Sequence, residues 1–119
     1  MITALKSNQI FIFGSNLAGI HGAGAAKQAC FQFGAQLGVG EGLTGRCYAF
    51  PSLDKTLRIR TWAALWASRD RLWACCNANP GKEFLLTKVG CGLAGYSEED
   101  MKQLFRDPPV NLILPKDWR

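Results

Sequence analysis

Short apolar runs and helix-spaced apolar positions alternate along the chain, with glycine-rich turns between them. Ile10-Phe11-Ile12-Phe13 is unbroken by polar residues, as in a strand buried on both faces, and predicts a strand over residues 9–13. Ala25, Ala26, Ala29, Cys30 and Phe33 recur at helical spacing and predict a helix that opens between Gly22 and Ala25 and stops at Gly34. Residues 38–46 hold four glycines and predict a loop. Cys47-Tyr48-Ala49-Phe50 reads as a short strand ended by Pro51. Thr61 is the expected N-cap of a helix over residues 62–77. There Trp62, Leu65, Trp66, Leu72, Trp73 and Cys76 form an apolar stripe, read as core packing, with Ser68, Arg69, Asp70 and Arg71 outside it. Asn79-Pro80-Gly81 ends it. Phe84 to Val89 predicts a strand, and Ser97 with Asp100 three residues on starts a helix to about Phe105. Val110 to Leu114 predicts a last strand ahead of a tail. The alternation predicts one α/β domain over residues 1–119, a sandwich with a mainly parallel sheet.

Two of the glycine-rich turns follow apolar runs directly. Phe13 leads into Gly14-Ser15-Asn16 and on through Gly19, Gly22 and Gly24, and Val89 leads into Gly90-Cys91-Gly92-Leu93-Ala94-Gly95-Tyr96. A bare loop between a strand and a helix exposes backbone N–H groups at the positive end of the helix, a seat for phosphate. Ligands of parallel sheets bind where the strands' carboxyl ends open into loops. Two such loops predict a diphosphate held between them, the alternative at each being a tight connection with no ligand. The first loop is not a P-loop: Gly19 and Gly24 have the spacing, but Ala25-Ala26 replace Lys-Ser/Thr. Nor is it a dinucleotide fingerprint, since Lys27 stands where the third glycine or alanine belongs.

Ser15-Asn16, the glycine run after them and the helix opening Gly24-Ala25-Ala26 resemble the first ligand loop of macrodomains, the ADP-ribose-binding modules. Residues 90–96 resemble the second loop of that family, which wraps the diphosphate, and the segment with Gly42, Thr44, Gly45 and Tyr48 is similar to the stretch between. Order and spacing agree over residues 9–114. The phrases FGSNLAG-x-HGAGAA, GEGLTG and GCGLAGY look like a small bacterial and phage-encoded macrodomain-like group. The resemblance implies a compact three-layer α/β/α sandwich that binds ADP-ribose, a related nucleoside diphosphate or an ADP-ribosylated substrate; no cofactor is expected. It implies ligand contacts from Ser15, Asn16, Gly22, Ala23, Gly24 and Ala25, from Thr44, and from Gly90, Cys91, Gly92, Leu93, Ala94, Gly95 and Tyr96. Hydrolysis of an ADP-ribosyl bond stays open, with Glu41, His21 and Asp54 as candidate catalytic residues.

Composition narrows the class. The chain has 119 residues, 48% hydrophobic and 19% charged, which is globular rather than disordered. No apolar run approaches the ~20 residues that cross a bilayer, and residues 1–8 lack the pattern of a secretion signal, so the expectation is a cytoplasmic chain without membrane contact. Five cysteines, no C-x-x-C pair and one histidine favour reduced, buried thiols over a metal site. The net charge of +5 suits an anionic ligand, or simply a solvated cationic face. It also keeps open a nucleic-acid-binding domain using Arg58, Arg60, Arg69 and Arg71.

Several residues carry two readings. Asn16 is a ribose contact or a turn-former, and His21 a phosphate contact or acid–base group, or else a solvent-exposed loop residue. Cys91 with His21 as its base would make a small hydrolase, against a small buried thiol lining the loop. Tyr96 packs on the distal ribose or in the core. Glu41, a carboxylate among glycines, suggests ribose contact or catalysis. Asp54 and Lys88 form a weaker catalytic pair, Lys88 being otherwise a solvent-facing strand-end lysine.

Overall fold

The computed structural model describes residues 2–119; Met1, the first residue of the expected domain, lies outside. The strands are β1 (Gln9–Asn16), β2 (Gly42–Thr44), β3 (Cys47–Leu53), β4 (Glu83–Leu86) and β5 (Leu112–Ile113). The helices are α1 (Gly24–Phe33), α2 (Trp62–Ala78) and α3 (Glu98–Leu104), followed by a 3-10 turn at Lys116–Trp118. The fold is α/β, as the alternation predicts.

A five-stranded sheet runs in the order β2-β3-β1-β4-β5, so the first strand in sequence lies at its centre. That position explains the unbroken apolar run. Phe11 and Phe13 join Cys47 and Ala49 of β3 under α1, while Ile10 and Ile12 join Tyr48 and Phe50 on the other face, with residues of α2 and α3. Both faces of β1 are dry, so no polar residue fits the alternation.

The sheet is mixed, which corrects the expectation of a mainly parallel one. β1 pairs in parallel with β3 and β4, and β4 with β5, but β2 is antiparallel to β3. Only Gly45 and Arg46 separate Thr44 from Cys47, and a connection that short can join only a hairpin. β2 lies inside the segment expected to be loop. Its pattern is hidden because Leu43 is half-exposed and its pairing is carried by backbone.

Other boundaries move for local reasons. β3 continues through Pro51 to Leu53; β2 reaches only to Ala49, so no neighbour on that side needs the N–H that proline lacks. β4 ends at Leu86 rather than Val89, because Thr87 turns both its N–H and its Oγ1 onto the Ile12 carbonyl, at 3.2 and 2.8 Å. Thr61 and Ser97 cap their helices as expected, accepting from the amides of Ala64 and Asp100 at 3.2 and 3.1 Å.

Of the stripe expected on α2, Leu65, Leu72 and Cys76 are buried and Trp73 packs against the core, but Trp62 and Trp66 do not join them. Leu65, Ser68, Leu72 and Cys76 face the sheet, whereas Trp62 and Trp66 are 41% and 42% exposed. α2 carries apolar residues on both sides, so periodicity alone cannot choose between them, and the sheet takes the smaller ones. Ser68 is wholly buried, its Oγ accepting from Arg60 at 2.8 Å and Arg71 at 3.1 Å. The tail is anchored: Trp118 is buried, stacks on Phe105 and donates from Nε1 to Glu98 at 3.1 Å. Among the described residues no helix is long and apolar enough to cross a membrane.

Candidate functional site

Because β1 and β4 are parallel neighbours, the two glycine loops leave the sheet at the same edge. They enclose a cleft of about 350 Å³. Its walls are residues 14–16 and 22–26 on one side and residues 87–90 and 92–94 on the other, with Ser52 and Leu53 from the end of β3. Gly14 brings the strand ends together: a Cβ there would lie 3.4 Å from the Gly90 nitrogen.

The cleft is lined by unused backbone donors. α1 starts at Gly24 with Ala23 in the cap position, where no side chain caps it and no acid lies in the first turn. Among the described residues, the amides of Gly24, Ala25 and Ala26 therefore find no partner within the chain. In the second loop Cys91 and Gly95 donate to the carbonyls of Lys88 and Gly92, which leaves the amides of Gly92, Leu93 and Ala94 free. The amides of Gly22 and Ala23 find no partner either, so among the described residues the unpaired N–H groups of residues 22–26 and of residues 92–94 border one cleft.

Gly22 and Gly92 have no local reason to be glycine. Neither has a positive φ, and a Cβ on either would meet nothing within 4 Å. Both line the cleft.

The expected site residues divide sharply. Asn16 lines the cleft, but both ends of its amide close the loop: Nδ2 donates to the Ile20 carbonyl at 2.8 Å and Oδ1 accepts from the Ile20 amide at 3.1 Å. The Ser15 hydroxyl donates to the Gly40 carbonyl. Thr44 is away from the cleft, its Oγ1 accepting from the Gln36 amide at 2.8 Å. The Tyr96 ring packs against the α2–α3 core and edge-on to Trp62, and its hydroxyl donates to the Arg60 carbonyl at 2.7 Å. Tyr96 thus ties the second loop down and does not line the cleft.

The acid–base candidates lie elsewhere. His21 is buried rather than solvent-exposed: Nε2 donates to the Val39 carbonyl at 3.2 Å, the ring meets Phe13 edge-on, and Nδ1 has no partner. Glu41 accepts two bonds from Arg71 of α2, at 2.9 and 3.1 Å. Asp54 organises its own turn, accepting from Thr56 and Arg58, and these bonds hold its carboxyl below the usual range. Lys88 does border the cleft, but its Nζ is paired with Glu98 at 3.0 Å and Asp117 at 2.6 Å, and both raise its pKa. A lysine so held is protonated and is no nucleophile.

The Cys91–His21 pair does not assemble. Cys91 packs with the α2–α3 core, whereas His21 sits on Phe13, which belongs to the opposite face of the sheet. Burial pushes the Cys91 thiol up, and Cys47 and Cys76 are raised to about 12 by the same cause. All are inert thiols at neutral pH.

Sequence reasoning missed Ser52, Leu53 and Thr87 in the cleft wall. The available signal was the parallel pairing itself, since a third strand beside β1 must end at the same edge. Thr87 and Lys88 also border a second hollow of about 740 Å³, floored by Phe11, Leu85 and Ile113. Comparison of the chain with family models, curated proteins and solved structures found no match.

Proposed function

We propose that the cleft binds ADP-ribose or a related nucleoside diphosphate, its diphosphate seated on the free amides of residues 24–26 and 92–94. The observation that carries this reading is that both triplets border one cleft beside Gly22 and Gly92, whose missing side chains nothing else accounts for. Charge agrees, because α1 presents its positive end with no carboxylate to offset it and Lys27 in its first turn. The adjoining hollow leaves room for the remainder of such a ligand. The arrangement of α1 on one face and α2 with α3 on the other suits the compact three-layer sandwich of a macrodomain-like module.

We read the protein as a binder rather than a hydrolase. The residues lining the cleft include no carboxylate and no histidine, and the lysine there is held by two acids. A general base within reach of a bound C1″ is what hydrolysis would require. A thermal-shift panel of ADP-ribose, ADP, NAD and cyclic ADP-ribose tests the binding. A ligand at a hundred times its Kd adds about 2.7 kcal/mol of stability. No shift with any of the four overturns the reading, and release of ADP-ribose from a modified protein overturns its non-catalytic part.

A further inference from the structure

The outer face of α2 is not explained by the cleft. Trp62 and Trp66, one helical turn apart, are both half in water, and Leu57 and Ile59 in the preceding turn are 49% and 62% exposed. Single apolar residues on a surface are ordinary, but two tryptophans on adjacent turns with aliphatic neighbours are a patch. The rings are also fixed. Arg69 lies over Trp66 with its guanidinium carbon 4.4 Å from the ring centroid, and Trp62 meets Tyr96 edge-on at 5.4 Å. Fixed rings lose little freedom when something stacks on them.

Charge selects the occupant. Arg60, Arg69 and Arg71 are engaged with Ser68, Asp70 and Glu41, so the arginines named from sequence do not form one free stripe. Lys55 and Arg58, in the turn that leads into α2, make no salt bridge among the described residues. The turn that leads to these rings thus carries two cations without a salt bridge, alongside the Asp54 carboxylate.

We propose that this face binds single-stranded nucleic acid without sequence preference, bases stacking on Trp62 and Trp66 and phosphates meeting Lys55 and Arg58. Aromatic platforms beside a cationic track are how such strands are held. Leu53 pairs with Ile59 and also borders the cleft, so a strand here runs past the cleft mouth. The proposal stands independently of what the cleft holds.

The test is fluorescence anisotropy of a labelled oligothymidylate of roughly a dozen nucleotides, within the usual span of such sites. Trp66→Ala is the deciding variant, because the Trp66 ring contact is with an arginine and not with the core. It should weaken binding roughly tenfold, with its melting temperature close to the parent's. Lys55→Ala with Arg58→Ala should reduce the log–log salt slope by about 1.4. Gly22→Val with Gly92→Val should leave oligonucleotide binding intact, which separates this site from the cleft. The proposal is overturned if the parent binds no oligothymidylate at low salt, if Trp66→Ala binds as tightly as the parent, or if polyglutamate displaces the oligonucleotide as well as polythymidylate does.

Discussion

Gly40 and Gly45 look like Gly22 and Gly92 of the cleft in sequence and sit in opposite surroundings. Gly40 and Gly45 are pressed against other backbone: a Cβ on Gly40 would overlap the Asn16 carbonyl, and one on Gly45 the Gly34 carbonyl. Gly22 and Gly92 face open space with ordinary φ angles. The first pair is demanded by the fold. The second is unexplained by the fold, and on the proposed reading it is left bare for a ligand.

The largest effect expected from this contrast is at Gly45. Gly45→Ala has both a positive φ and a main-chain overlap against it, and should cost about 3 kcal/mol in urea unfolding. An unchanged midpoint would break the comparison at its structural end. At the other end, Gly22→Val and Gly92→Val should leave the apo midpoint within about 0.5 kcal/mol while abolishing the thermal shift given by ADP-ribose. Retention of that shift would remove the reason for the bareness.

A smaller effect is expected at Ala23, the uncapped start of α1. Ala23→Asp should stabilise the apo protein by about 1 kcal/mol, because a carboxylate would take up an orphan amide. The same change should weaken ADP-ribose binding measured by calorimetry, since the added charge occupies the anion seat. Stabilisation without weakening would mean that the phosphates lie elsewhere.

The smallest effects concern Lys88. Bonds from Lys88 hold Asp117 below its usual range, and bonds from Trp118 and Lys88 do the same for Glu98. With folded values depressed, their stabilising contribution is present above the ordinary carboxylate pKa and lost as pH falls through the folded values. A thermal melt should therefore show a slight loss below about pH 4, smaller but not absent in Asp117→Asn with Glu98→Gln, because Asp54 is held low by its own turn. The same double variant frees the ammonium at the cleft edge and should tighten ADP-ribose binding a few-fold.

Much of this was legible in the chain, and the gaps have physical causes. β1 and the two bare loops stand out because a central strand must be apolar throughout and glycine is rarely tolerated without reason. That the loops share an edge follows from parallel pairing. What sequence could not settle was the side of the sheet. His21 is a neighbour of Gly22 in the chain, yet its ring turns into the α1 face onto Phe13. Glu41 sits between a glycine pressed against the Asn16 carbonyl and one with a positive φ, and its charge is answered by Arg71, thirty residues on. Tyr96 ends a ligand-like motif, but its hydroxyl is used by the backbone of residue 60. In each case the deciding partner is remote in sequence, and no local spacing encodes it.

The buried indole near the end of the chain has a practical consequence. Losing Trp118 would strip Phe105 of its stacked neighbour, and Glu98 of a donor. If Asp117 went with it, Lys88 would lose one of its two acids. Disruption of Asp117 and Trp118 would therefore be felt at Lys88 in the wall of the cleft, so the turn that holds them is a buttress.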